Sequence, residues 1–198
     1  MKLSRQFSNA LAFASGLHRG HLRKGTKIPY MAHLMAVSAL VLEHDGSETE
    51  AIAALLHDVL EDRGPYFKLG AAGMRNQIRK RFGEEVLAIV EECTDTDKDP
   101  KPPWRERKEG YIRSLATVSP SGLLVSLADK VHNARSILRD LQSIGEDVWL
   151  RFSGSREDTL WYYKSVLAAF QARKESNEVL LRELEEKLAE IEGQLSSN

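Results

Sequence analysis

The chain has 198 residues, of which 42% are hydrophobic and 29% charged, and its formal net charge is −1. This length fits one domain with an added tail, and this composition is ordinary for a soluble protein with a real core. The small net charge excludes a generally polycationic nucleic-acid binder, although it is compatible with a local basic pocket.

The sequence also predicts where the protein is located. No run approaches the roughly 20 apolar residues of a membrane span, so we expect neither a membrane nor a nucleic-acid partner. The first residues lack the apolar core of a signal peptide. Cys93 is the only cysteine, which excludes an internal disulfide and predicts a reducing, cytoplasmic location.

Apolar spacing predicts helices along the whole chain, and no segment shows the alternation of a strand or the signal of a hairpin. We therefore predict an all-α fold. The Ser-x-x-Glu pattern at Ser47 is a capping box that starts the third helix. The expected helices are, in order, 4–20, 30–44, a helix from Glu48 that is ended by Arg63-Gly64-Pro65, 74–82, Glu84–Cys93, 104–117, a buried helix from Leu123, and 155–172.

A basic loop with glycine and proline separates the first two helices over residues 21–30. Arg23 and Lys24 lie in this loop and suit contact with phosphate or stacking on a base. A loop of this composition is by itself more often a solvated surface. Next to a metal site we favour a ligand contact.

His18 and His21 precede this loop, three residues apart. They could share a metal ion. A half-exposed surface pair is the more common outcome, since two ligands without a third nearby are a weak signal.

An acidic cluster closes the apolar helical run of residues 51–56. His57, Asp58, Glu61 and Asp62 follow it within six residues. Ionisable side chains resist burial unless they are paired or bind a metal, and helical spacing places Asp58 beside Glu61 and Asp62 on one face. The alternative is a solvated C-terminal turn, but acidic residues are disfavoured at a helix C-terminus. The cluster predicts a metal site with acid/base groups beside it.

Two further ionisable residues stand in apolar helical surroundings. His33 lies in the second helix, and Asp129 ends the apolar run 123–128. A lone histidine in such a place is usually a satisfied core residue, whereas a carboxylate there is either paired or a metal ligand. With His57 and Asp58 they make a mixed set that suits Mn²⁺, Fe²⁺, Co²⁺ or Zn²⁺, with positions left for water and phosphate.

This set of histidines and aspartates on separate helices resembles the HD superfamily of metal-dependent phosphohydrolases. The motifs that carry the likeness are RK…PYMAH over 23–33, HDVLED over 57–62 and LADKVHNAR over 127–135. They are similar to the hydrolase domain of RelA/SpoT-type proteins, and the chain looks like a small alarmone hydrolase in which this domain stands alone. The likeness covers about residues 5–172 and leaves the tail outside the family pattern.

The resemblance implies roles for individual residues. The side chains that would hold one Mn²⁺, or another divalent ion, are His33, His57, Asp58 and Asp129. The catalytic groups acting on the attacking water would be Glu61 and Asp62. The substrate-binding residues would be Arg23 and Lys24 at the base, Asn133 and Ser136 near the ribose and its phosphates, and Lys98 and Arg139 at phosphate.

The implied reaction is Mn²⁺-dependent hydrolysis of the 3′-pyrophosphate of (p)ppGpp, which gives GDP or GTP and pyrophosphate. One alternative is an HD phosphohydrolase acting on another nucleotide, such as ppApp or a 2′/3′-phosphorylated cofactor. Another is a non-catalytic alarmone-binding protein. The presence of every implied ligand and of both acidic groups argues against the latter.

The predicted HD-type hydrolase domain spans 1–173, and a C-terminal helical tail spans 174–198. Apolar residues recur in the tail at spacings of three and four, as in a coiled coil: Leu181, Leu184, Leu188, Ile191 and Leu195. The pattern covers only about two heptads, so it fits either a homodimer contact or a helix folded back on the domain. We therefore expect an HD-domain helical bundle with an extra C-terminal helix.

Overall fold

Several helices begin at a serine whose side chain caps the first turn. In the computed structural model, which describes residues 2–64, 67 and 69–196, serine side chains accept backbone N–H bonds at the N-termini of four helices: Ser4, Ser47, Ser119 and Ser155. The helices are α1 (Arg5–Leu17), α2 (Met31–Glu43), α3 (Glu48–Leu56), α4 (Val59–Asp62), α5 (Gly70–Phe82), α6 (Glu84–Cys93), α7 (Trp104–Ser114), α8 (Pro120–Ile144), α9 (Arg156–Gln171) and α10 (Glu178–Ser196).

The predicted all-α fold is confirmed for the part of the chain that the structure describes. An isolated antiparallel bridge between Leu22 and Pro29 closes the basic loop, and the described residues contain no strand. A 3₁₀ segment, Gly145–Arg151, follows α8. None of the helices in the described ranges combines the length and the apolar character needed to cross a bilayer.

The acidic cluster differs from its predicted setting. It does not close α3; the helix ends at Leu56, and Glu61 and Asp62 lie in the first turn of the separate helix α4. Acidic side chains are favoured at a helix N-terminus, because the exposed N–H groups carry positive partial charge. Pro65, expected to end this helix, lies outside the described residues.

Two other helices begin earlier than predicted. Helix α5 begins at Gly70 rather than at residue 74, and α8 begins at Pro120 rather than at Leu123 and extends to Ile144. Pro120 occupies the first turn of α8, where its missing N–H costs no hydrogen bond, and Gly145 ends the helix with a φ of 61°.

Helix α8 is the centre of the bundle. It packs against α2, α3, α6, α9, α10 and the 3₁₀ segment, so it is covered on nearly all sides. The apolar run of α3 is buried against it, with every residue from Ala51 to Leu56 at most 3% exposed. This packing brings the C-terminal end of α3 and the first turn of α2 to the part of α8 that contains Asp129.

The C-terminal helix α10 folds back on the domain. The apolar positions buried against the bundle are Leu180, Leu184, Leu188 and Ile191. Its neighbours are α8 and α9, and an Arg135–Glu183 ion pair joins it to α8. The second of the two arrangements predicted for the tail is therefore the one observed within the chain, and a homodimer stays a prediction.

Candidate metal centre and cavity

Four side chains from α2, the α3–α4 junction and α8 converge on one point. His33 Nε2 lies 3.2 Å from Asp129 Oδ1 and 3.5 Å from Asp58 Oδ2. His57 Nε2 lies 3.0 Å from Asp58 Oδ2 and 3.7 Å from Asp129 Oδ1. The structure thus brings together all four residues that the sequence predicts as metal ligands.

The imidazole of His57 has one nitrogen satisfied and one directed at this point. Its Nδ1–H donates to the carbonyl of Ala54 at 2.8 Å, whereas its buried Nε2 has no hydrogen-bond partner of good geometry. A ligand histidine is held in this way, through the nitrogen that does not bind the metal. One donor atom each from His33, His57 and Asp58 lies within 4.8 Å of the others, so the donor set fits a divalent cation.

Both carboxylates are charged despite burial. Burial acts to raise the pKa of Asp58, but the His57 ring beside it holds that pKa well below its usual range. Burial opposes ionisation of Asp129 in the same way, and the neighbouring Lys130 outweighs it and keeps the pKa low. The site therefore presents two anionic ligands at neutral pH.

Side chains outside the cluster fix the orientation of these carboxylates. The Tyr30 hydroxyl donates to Asp58 Oδ2 at 2.5 Å. Lys130 Nζ donates to Asp129 Oδ2 at 2.5 Å, and Asn133 Nδ2 donates to Asp129 Oδ1 at 2.6 Å. Each carboxylate is therefore held in place by the protein itself.

Tyr30 in turn packs against two histidines that also stack on each other. Its ring stacks on His21 at 4.3 Å and on His18 at 5.0 Å between centroids. The Nδ1 atoms of His18 and His21 lie 2.9 Å apart and share a hydrogen bond. The described residues supply this pair with no third ligand, so the two histidines support the Tyr30 ring and do not form a metal site.

Glu61 and Asp62 differ in surroundings. Glu61 lines the cavity over the cluster, and its Oε1 accepts a bond from Lys101 Nζ at 2.8 Å. Asp62 is half-buried, and burial together with the Asp58 and Glu61 charges raises its pKa to about 7. Asp62 therefore exchanges a proton near neutral pH, which is the range required of a catalytic acid or base.

Two adjoining cavities open above the cluster. The inner cavity, about 270 Å³, has Tyr30, His33, Asp58 and Asp129 in its wall. The outer cavity, about 410 Å³, adjoins it and has Trp104 in its wall. The residues that line both are Arg23, Lys24, Glu61, Lys108, Lys130, Asn133, Ile137, Arg151, Phe152 and Tyr162. Their shared wall is strongly cationic and suits an anionic ligand.

The basic loop reaches this wall through Gly25. Its φ is +69°, and a Cβ at this position would lie 2.6 Å from Cγ of Arg151, so only glycine allows this approach. Lys24 Nζ donates to Ser153 Oγ at 3.1 Å. Arg151 had no signal in the sequence, because its position depends on the docking of the 3₁₀ segment against this loop.

The predicted substrate-binding residues divide into two groups. Arg23, Lys24, Asn133 and Ser136 line the inner cavity. Asn133 is already engaged at both ends of its amide, since its Oδ1 accepts from Arg23 Nη2 at 2.9 Å while its Nδ2 binds Asp129.

Lys98 and Arg139 form the second group and line neither of these cavities. Lys98 lines a separate surface depression with Arg75 and Asp97, and Arg139 pairs with Asp140. Their roles at phosphate stay predictions that the geometry does not support.

Comparison with known proteins adds independent evidence. A family model described as HD domain matches residues 10–160. The guanosine-3′,5′-bis(diphosphate) 3′-pyrophosphohydrolase MESH1 of Xenopus tropicalis is 37% identical over 144 residues, which are 71% of this chain and 72% of the relative. MESH1 of Homo sapiens is 34% identical over 148 residues, 73% of this chain and 74% of the relative.

A solved structure described as a metazoan ortholog of SpoT that hydrolyzes ppGpp is similar at a TM-score of 0.73 and 27% identity. It covers 96% of this chain and 97% of its own, so fewer residues are left out than the 19 that make up α10. The family model itself ends at residue 160, so the division into a hydrolase domain over 1–173 and a tail over 174–198 stays a prediction. These matches confirm the resemblance carried by the sequence motifs: the chain belongs to the HD-domain family, in the branch of the guanosine-3′,5′-bis(diphosphate) 3′-pyrophosphohydrolases.

Proposed function

We propose that this chain hydrolyses the 3′-pyrophosphate of ppGpp and pppGpp, giving pyrophosphate with GDP or GTP. The observation that carries the proposal is the position of Glu61 on the wall of a cation-lined cavity, next to the cluster of His33, Asp58 and Asp129. The MESH1 relatives, which share that activity in name, support it.

The cluster would hold a divalent ion, and we propose Mn²⁺. His33 and His57 would each provide Nε2, and Asp58 and Asp129 would each provide a carboxylate oxygen. When bound, such an ion supplies Lewis acidity, which polarises phosphoryl oxygens and makes hydroxide available at neutral pH. Two imidazoles with two carboxylates suit a borderline ion better than Mg²⁺, which prefers oxygen ligands alone.

The protein's own acidic groups handle the proton of the attacking water. Glu61 faces the cavity, and Lys101 holds one of its oxygens, so its carboxylate is oriented to take this proton. Asp62, with a pKa of about 7, stands next in sequence and can accept the proton or return it. We propose that Glu61 is the base and that Asp62 acts through it.

The cationic wall would bind and orient the nucleotide. Arg23 and Lys24 lie on the loop side of the inner cavity, where a guanidinium can stack on a purine. Lys108, Lys130 and Arg151 contribute positive charge for the phosphates. Ser136, also in this wall, suits contact with the ribose.

The test is incubation of the purified chain with ppGpp and added Mn²⁺. We expect equimolar GDP and pyrophosphate, and the matched control is Asp58→Ala. Turnover no higher than that of this variant would refute the proposal, and release of orthophosphate instead of pyrophosphate would mean that a different phosphate bond of the nucleotide is cleaved. A parallel incubation with ppApp measures the base preference.

Two finer expectations accompany this function. We propose a cytoplasmic location, where nucleotides are available and Cys93 stays reduced; burial raises the pKa of this thiol to about 11, so it is unreactive in any case. The predicted homodimer is measured by light scattering of the full chain, and it requires a surface other than the apolar stripe of α10 already buried on α8.

A further inference from the structure

The imidazole of His33 contacts a second imidazole. Its Nδ1 lies 2.8 Å from Nδ1 of His132, the rings are 4.9 Å apart, and His33 is only 1% exposed. His132 stands one turn beyond Asp129 on α8 and lines neither cavity. It is therefore out of reach of a ligand in the cavities, and it contacts His33 on the Nδ1 side of the ring, away from the metal site.

A single proton lies between the two Nδ1 atoms. Which histidine carries it determines whether Nε2 of neutral His33 is protonated or has a free lone pair. If His132 donated, the proton of neutral His33 would sit on Nε2, the atom that faces Asp58 and Asp129 at 3.5 and 3.2 Å. If His33 donates, its Nε2 carries a lone pair. Only the second tautomer can bind a cation, because a metal ligand nitrogen must be unprotonated.

We propose that His132 is a positioning residue that accepts the Nδ1–H of His33 and so fixes His33 in its metal-binding tautomer. The inference rests on the proposed metal centre. One turn of α8 then has two roles, because it provides the ligand Asp129 and also holds a ligand from α2. His57 is held differently, by the carbonyl of Ala54, so His132 acts on one of the two histidines only.

The first test measures Mn²⁺ affinity of the nucleotide-free protein by competition with a chelating dye. His132→Leu removes the acceptor, and we expect affinity to fall by about 10–100-fold. His132→Asn places an oxygen close to the position of Nδ1, and we expect it to recover most of the loss. His44→Asn, at the end of α2 and outside the site, is the matched control and should bind as the wild type does.

Two outcomes would overturn the proposal: His132→Leu binding Mn²⁺ within about two-fold of wild type, or His132→Asn binding as weakly as His132→Leu. Thermal unfolding followed by circular dichroism shows that each variant is folded. Should His132→Leu fail to fold, the comparison of His132→Asn with wild type still decides, since a loss above tenfold in that variant contradicts the proposal.

A second test reads the tautomers directly. Long-range ¹⁵N NMR of histidine-labelled protein loaded with diamagnetic Zn²⁺ should show His33 protonated on Nδ1 and His132 protonated on Nε2. The reverse assignment would refute the proposal. Neither test uses ppGpp, so a protein that binds metal in this way but fails to hydrolyse ppGpp would overturn the proposed function and leave the role of His132 intact.

Discussion

The floor of the site and its cationic rim differ in burial and in the elements that supply them. The floor consists of His33, His57, Asp58 and Asp129, and the rim includes Arg23, Lys24, Lys101 and Arg151. The floor side chains are 2–22% exposed and come from α2, α8 and the α3–α4 junction, whereas in the rim Arg151 is 21% and Lys101 41% exposed, and the rim comes largely from loops and the 3₁₀ segment. Buried groups with several partners are fixed before a ligand arrives, while exposed ion pairs contribute little. Changes in the floor should abolish activity, and changes in the rim should adjust it.

The largest effect is expected from Asp58→Ala. Loss of this ligand should remove the metal, and with it several kcal/mol of charge stabilisation, so turnover should fall by about 10³-fold or more. Metal content after gel filtration and ppGpp turnover are the measurements. Asp140→Ala is the matched control, because Asp140 lies in the same cavity wall but outside the cluster and should keep its metal. Full metal occupancy in Asp58→Ala would contradict the assignment.

Glu61→Gln separates chemistry from metal binding within the same wall. It should retain metal affinity and lose about 10²–10⁴-fold in turnover, since a positioned base is removed. Both quantities are measured on one preparation. If this variant loses metal as fully as Asp58→Ala does, the division between ligand and base is wrong.

Acid should weaken the support of the floor. Burial, followed by the neighbouring His21, lowers the pKa of His18 from 6.5 to about 4. Between these values the unfolded chain binds a proton that the folded chain does not, so the stabilising effect of neutral His18 is lost as pH falls from 6.5 to 4. On lowering the pH from 7 to 4.5, metal-free wild type should lose about 2–3 kcal/mol more than His18→Asn. Urea unfolding at both pH values measures this, and equal losses would contradict it.

Rim substitutions should act mainly on KM. Arg23→Ala removes a half-buried cation tied to Asn133, and we expect KM for ppGpp to rise about tenfold, as for the loss of one charged hydrogen bond. Lys24→Ala removes an exposed cation and should raise KM only about 2–5-fold, with an effect that shrinks in high salt. A thousandfold fall in kcat for either variant would mean that the rim residue is needed for the chemical step, as the floor residues are.

The smallest effects are expected at Lys98 and Arg139, which lie away from both cavities. Replacement of either by alanine should leave KM and kcat within about two-fold of wild type, because neither side chain faces the site. Steady-state kinetics measures this. A tenfold rise in KM for Lys98→Ala would mean that the loop before α7 closes over bound nucleotide.

The floor was predictable and the rim was only partly so, for a physical reason. A carboxylate or imidazole in an apolar helix contradicts its surroundings, so His33 and Asp129 are conspicuous in sequence. Lysine and arginine are common on exposed loops, so the sequence cannot distinguish Arg151, which lines the cavities, from Lys98, which does not. Periodicity likewise predicts helices but cannot show that α3 ends before Asp58, because the break depends on the packing of α4.

The residues that hold the floor side chains in place could not be predicted from the sequence either. Tyr30, Lys130 and His132 all belong to the motifs at 23–33 and 127–135, yet the sequence alone indicates no role for them. Each acts through a contact between separate elements, such as Tyr30 with Asp58 or His132 with His33. Sequence shows which residues are present on a helix, whereas the partner of each is decided by how the helices cross.

The distance along the chain between His33 and Asp129 has a consequence for the order of synthesis. Three of the four floor residues belong to the first third of the chain, and the fourth is added only with α8, whose back is then covered by α10. Chains fold from the N-terminus as they are made. A nascent chain that stops before α8 holds an incomplete floor, so hydrolysis should begin only when the greater part of the protein has been translated.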